Sequence, residues 1–149
     1  MAETERHDMR ITAAIATAAI LTFAAGAANA DAQKYVAHLT AGAEVPPTTT
    51  AAKGDITAVL DTDTGELSYT VTFSGLSGPA TAADFHGPAG KAAEAPVVAA
   101  GAGTTSPISG TVKLTLQQTR DLNSGNWYFN VDTSANPNGE IRGQLQRGY

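Results

Sequence analysis

Asn126-Trp-Tyr-Phe-Asn-Val-Asp-Thr-Ser-Ala-Asn-Pro-Asn-Gly-Glu-Ile-Arg-Gly-Gln-Leu145 alternates on both sides of a polar centre. Trp127, Phe129 and Val131 fall on one face of an extended chain, and Tyr128, Asn130 and Asp132 on the other. Residues 134–139 are turn formers, with Asn138-Gly139 placed for positive φ. Beyond them Glu140, Arg142 and Gln144 alternate with Ile141, Gly143 and Leu145. The segment is a β-hairpin, and it uses more charged residues than a hairpin needs.

The same signature recurs upstream. Residues 33–40 set Tyr35, Ala37 and Leu39 on one side. Residues 55–61 offer Ile56, Ala58 and Leu60, and residues 66–74 offer Leu67, Tyr69, Val71 and Phe73, with the turn Asp61-Thr-Asp-Thr-Gly65 between them. Residues 81–86 and 108–116 supply two more strands, and Val97-Val98 a small one. One helix is expected. Thr115 and Gln118 have capping-box spacing, and Asn123-Ser-Gly125 ends the helix after about two turns. Short strands separated by turn signals predict an all-β fold, an antiparallel Greek-key-like sandwich or barrel with one short helix. Two long connections, residues 41–53 and 87–107, are rich in Pro, Gly, Ala and Thr. Loops of that length in a small domain usually carry function or move.

The first thirty residues read differently. Residues 11–25 are an uncharged apolar run, too short to span a bilayer, which needs about 20 residues. Ala28-Asn29-Ala30 has the small-residue pattern of a cleavage site, so residues 1–30 are expected to be a signal peptide and residues 31–149 one β domain. The acidic residues Glu3, Glu5 and Asp8 suit a signal poorly, whereas a start at Met9 gives an ordinary n-region. Export to the periplasm or medium follows as the expectation, with no membrane span after cleavage. Residues 31–149 carry seven Lys and Arg against eleven Asp and Glu. A mildly acidic domain lacks the positive field that nucleic acid or an anionic bilayer attracts. There are no cysteines, so disulfides, thiol nucleophiles and thiolate metal sites are excluded.

Chemistry-bearing residues are few. Asp84 and His86 stand at i and i+2, on one face of a strand, a spacing that suits two ligands of one divalent metal ion. Asp132 is the third candidate ligand and His38 the fourth. The structural alternative is a polar sheet face with a hydrogen-bonded histidine. Glu140 and Arg142 read as an ion pair on one strand or across strands, worth about 0.2–1 kcal/mol, with Arg142 also able to hold Asp132 or Glu44. Glu44-Val-Pro-Pro47 reads as a rigid extended piece with a structural role. No Ser, His and acid set for nucleophilic catalysis is visible, and no serine sits in a Gly-x-Ser-x-Gly elbow. The turn at Asp61 and Asp63 lacks the acids of a calcium hand.

Taken in order, several pieces resemble the CHRD domain, the chordin-type module also found singly in secreted bacterial proteins. They are Leu39-Thr-Ala-Gly-Ala-Glu-Val-Pro-Pro47, Thr64-Gly-Glu-Leu-Ser-Tyr69, Phe73-Ser-Gly-Leu76, Ala82-Ala-Asp-Phe-His-Gly-Pro88, Ala95-Pro-Val-Val98, Asn130-Val-Asp-Thr133 and Asn136-Pro-Asn-Gly-Glu-Ile-Arg-Gly-Gln144. The resemblance spans about Tyr35 to Leu145. It implies an all-β extracytoplasmic module and no particular reaction. The family carries His-x-His-Gly where this chain has Asp84-Phe-His86-Gly87, and Asn-Val-His-Thr where it has Asn130-Val-Asp132-Thr133. If the family histidines bind metal, this set would be harder and would shift from Cu(I) toward Zn, Mn or Ca. If they are structural, Asp84 and Asp132 replace hydrogen-bonding partners. The expectation is therefore a non-enzymatic exported module that binds a ligand or an extracytoplasmic protein. The alternative is a metal-binding protein or metal-dependent enzyme using Asp84, His86 and Asp132.

Overall fold

The computed structural model describes residues 31–149. The expected signal segment and its cleavage site lie outside them. No helix among the described residues is long and apolar enough to cross a membrane.

Nine strands form one antiparallel sheet that curls into a nearly closed barrel. They are β1 (Ala32–Thr40), β2 (Lys53–Asp61), β3 (Glu66–Ser74), β4 (Ala80–His86), β5 (Val97–Ala100), β6 (Ile108–Lys113), β7 (Tyr128–Thr133), β8 (Ile141–Gln144) and β9 (Gln146–Arg147). Their order is β5-β4-β7-β8-β1-β2-β3-β6, with β9 continuing beside β1. The two edge strands, β5 and β6, are joined directly by residues 101–107. This settles the choice between sandwich and barrel, because one continuous sheet carries every strand.

The sequence pattern explains the first half directly. In β1, β2 and β3 the residues Tyr35, Leu39, Ile56, Leu60, Leu67 and Val71 point inward and are buried, while their neighbours face out. The β2–β3 turn forms as expected. The Asp61 carboxylate accepts from the backbone N–H groups of Asp63 and Thr64, both at 2.9 Å, and Gly65 takes φ +73°. Helix α1 (Leu116–Asn123) starts at the Thr115–Gln118 capping box and bridges β6 to β7. Strand β6 ends at Lys113, earlier than residue 116, because Thr115 is already the helix cap.

Inside the barrel, Phe85 stands edge-on to Tyr69 and to Phe129, each with ring centroids 4.9 Å apart, and Trp127 packs 5.7 Å from Phe85. Aromatic rings bury more apolar area than any other side chain and prefer such tilted contacts. This cluster ties β3, β4 and β7 together and fixes which faces of β4 and β7 look outward.

Candidate functional site

Register places the outward residues of β4, β7 and β8 side by side. Asp84 pairs with Asn130 and His86 with Tyr128, while Asn130 in turn pairs with Arg142 and Tyr128 with Gln144. A one-sided sheet would leave this row in water. Here residues 87–96 lie over it as a strap, and the 3-10 turn Ala41–Ala43 followed by Glu44 closes one end. Arg142 is 2% exposed, Asn130 and Glu44 each 5%.

Polar side chains fasten the strap. Arg142 donates through Nη2 to the carbonyls of Gly90 (3.0 Å) and Ala93 (2.8 Å), and its guanidinium lies 3.5 Å from the centre of the Tyr128 ring. Gln144 donates to Ala89 O at 2.7 Å. The Tyr128 hydroxyl donates to Ala95 O and accepts from Ala95 N–H. His86 stacks on Tyr128 with its Nδ1 2.8 Å from Ala95 O. A strap of Gly, Ala and Pro with Lys91 and Glu94 has little apolar surface to bury, so these bonds to its backbone stand in for a core.

The expected Glu140–Arg142 ion pair does not form. Glu140 is fully buried and accepts from Ser77 N–H (2.8 Å), Ser77 Oγ (2.7 Å) and Thr133 Oγ1 (2.7 Å). Burial by itself would raise its pKa, but these donors outweigh it and hold the carboxyl down at about 2. Three donors, two from Ser77 in the β3–β4 connection and one from Thr133 at the end of β7, thus converge on one carboxylate, which locks the turn between β7 and β8. In that turn only Gly139 has positive φ, +127°. A Cβ there would lie 2.5 Å from Glu44 Oε2 and 2.6 Å from the Asn130 amide atoms, so the missing side chain leaves room for both against the turn.

Glu44 and Arg142 both line a cavity of about 580 Å³, together with Val36, Ala37, Lys91 and Gln144. The Glu44 carboxyl is pushed up to about 8, mainly by burial and further by Asp132 and Glu94, against the pull of Arg142. Glu44 Oε1 and Asn130 Oδ1 are buried with no hydrogen-bond partner, and such atoms are uncommon in folded proteins.

The four proposed metal ligands divide. Asp84, His86 and Asp132 share the outer face of β4 and β7, and their charges interact: Asp132 is raised by burial and by Asp84 and lowered by His86. Each already has a protein partner, Asp84 with Gly101 N–H, His86 with Ala95 O and Asp132 with the Asn130 amide. Among the described residues no group of three or more His, Cys, Asp or Glu side chains is placed to hold a metal ion. His38 is elsewhere. Strands β7 and β8 lie between β4 and β1, a separation of about 14 Å at the usual strand spacing. Its side chain is 89% exposed and meets Asp55 at 2.5 Å.

Tyr128, Asn130, Gln144 and Lys91 belong to the site but were not singled out in the sequence. For the first three the signal was present, since they share a face with Arg142 or Asp132 in strict alternation. Lys91 sits in the strap and carries no such pattern.

The model of the CHRD domain family matches residues 35–145. No curated protein and no solved structure matches the chain.

Proposed function

The chain belongs to the CHRD family, and from that premise we propose that it is an exported, non-enzymatic binding module whose ligand enters the cavity between the strap and strands β8 and β1. The carrying observation is a cavity of about 580 Å³ bordered by the buried Arg142 and Glu44. Its volume is within the usual range for small-molecule sites, roughly 300–1,000 Å³, which combine apolar walls with a few convergent polar groups. Val36, Ala37 and Ala43 give the apolar wall. The side chains around it are held by hydrogen bonds to backbone, an arrangement that favours binding over turnover. The partner outside the cytoplasm is then a small molecule, or a protein that inserts a side chain here.

The metal reading through Asp84, His86 and Asp132 rests on their shared face alone. Elemental analysis after purification in metal-supplemented medium separates the two. The binding module is expected to carry no stoichiometric Zn, Mn, Ca or Cu and to give saturable shifts of the Gly143 and Lys91 amide resonances with small ligands from a diverse library. One bound metal per chain, lost in Asp84→Ala and His86→Ala, contradicts it. Export is tested by fractionation and N-terminal sequencing, with Asp31 expected as the first residue of the exported form.

A further inference from the structure

Arg142 and Glu44 are both buried on one cavity, a guanidinium and a carboxyl held protonated to about 8, and they do not pair. The ion pair among the described residues is His38 with Asp55, so no Arg142 nitrogen lies within 4.0 Å of a Glu44 oxygen. A guanidinium and a carboxyl, 2% and 5% exposed, bordering the same space without meeting, leave room between them for a third molecule.

The unmet bonds specify that molecule. Every hydrogen bond that Arg142 makes uses Nη2, which leaves Nε–H and the two Nη1–H groups without a protein acceptor among the described residues. Each of those donors can give a single charge-assisted bond to a carboxylate oxygen. Lys91 adds a second cation to the same wall. Glu44 has the opposite need: neither carboxyl oxygen meets a donor, and Oε2, unlike the sealed Oε1, keeps some exposure. A simple anion would satisfy Arg142 and Lys91 while facing the Glu44 carboxyl. A simple amine would satisfy Glu44 while facing three cations, Arg142, Lys91 and Arg147.

We propose, building on the binding-module reading above, that the cavity takes a small zwitterion, an α-amino acid or dipeptide, with its carboxylate against Arg142 and Lys91 and its ammonium against Glu44. Val36, Ala37 and Ala43 line the remaining wall and suit a short aliphatic side chain. The neighbourhood supports the polarity. Glu44 faces Asp132 from β7 and Glu94 from the strap, with Arg142 on β8 opposing them and His38 of β1 and Lys91 of the strap on the cavity wall. Burial and the two acids keep a proton on Glu44 to about 8, and an ammonium group replaces that proton with a charge-assisted hydrogen bond.

The test is a calorimetric titration of the full chain with L-valine, with L-valyl-L-valine, and with the two halves of valine, 3-methylbutanoate and 2-methylpropylamine. At least one zwitterion is expected to bind about tenfold or more tightly than either half. Glu44→Gln, with folding verified by its melting curve, is expected to lose that preference over 3-methylbutanoate while still binding 3-methylbutanoate. Equal or tighter binding of either half overturns the proposal, as does no saturable binding of both zwitterions below about 10 mM. The library titration distinguishes the two levels of failure. Hits that map to the cavity with no zwitterion preference overturn the zwitterion and leave the binding module, whereas a library with no hits overturns both.

Discussion

Strand β2 and strand β7 are both interior strands of one antiparallel barrel, with apolar residues at every second position. In β2 the intervening residues, Lys53, Asp55, Thr57 and Val59, are exposed. In β7 the intervening residues Tyr128 and Asn130 are buried, and Asp132 is half-buried. The inward faces are built alike, so the difference lies outside the barrel. Among the described residues nothing covers β2, whereas the strap of residues 87–96 covers β7 and β8. A strand dry on one face needs only a core. A strand dry on both faces needs bonding partners for every polar group on its second face, and the cover here is chosen for bonding: carbonyls of Gly90, Ala93 and Ala95 meet Arg142, Tyr128 and His86. That matching fails at Glu44 Oε1 and Asn130 Oδ1, and Glu44 is also the residue that borders the cavity.

The comparison breaks most visibly at Arg142. Arg142→Ala removes two hydrogen bonds to strap carbonyls and the cover of Tyr128. A loss of about 3 kcal/mol in urea-induced unfolding is expected, since bonds to charged groups contribute about 1.5–3 kcal/mol each and the carbonyls are left unpaired. Thr57→Ala, on the open face of β2, is expected to change stability by less than about 0.5 kcal/mol. Equal effects would mean that the two faces do not differ as described.

A second effect depends on pH. The Glu44 carboxyl is raised from 4.5 to about 8 in the folded protein. Its favourable contribution is therefore complete below the unfolded value and is lost as pH rises through the folded one. Glu44→Gln holds no titrating proton. Relative to the parent, this variant is expected to gain stability steadily from about pH 4.5 to about pH 8 and no further above, a total of at most about 5 kcal/mol before solvent screening reduces it. Melting temperatures of both proteins across that range check it, and a constant difference would show that Glu44 is not held protonated.

The smallest effect belongs to the open half. His38 and Asp55 form a contact in water, where ion pairs add little. His38→Ala is expected to leave the melting temperature within about two degrees. A larger drop would give the open face an importance that its exposure does not suggest.

How much of this was legible in the sequence follows the same division. The β2–β3 hairpin, the capped helix at Thr115 and the closing hairpin were readable because each depends on local rules, alternation and turn chemistry. The outer face of β7 and β8 was not. Tyr128, Asn130, Arg142 and Gln144 look like any polar face until a loop more than 30 residues earlier in the chain is laid across them, and a strap of Gly and Ala gives no hydrophobic pattern to announce it. The i, i+2 spacing of Glu140 and Arg142 suggested an ion pair. Instead Glu140 turns to Ser77 and Thr133 and Arg142 to the strap. His38 fails as a partner for Asp84 and His86 because strand order is set by long-range pairing, which local pattern does not contain. The clue the sequence did hold was a surplus of charge in a hairpin that needed none.

The central claim is that the covered half, and not the open half, meets the ligand. An amide-resonance titration of the full chain with L-valine tests it most directly. Saturable shifts are expected at Gly42, Glu44, Lys91 and Gly143, with Thr57, Thr70 and Thr72 on the open face unmoved. Shifts confined to the open face, or none at any of these positions, would contradict it.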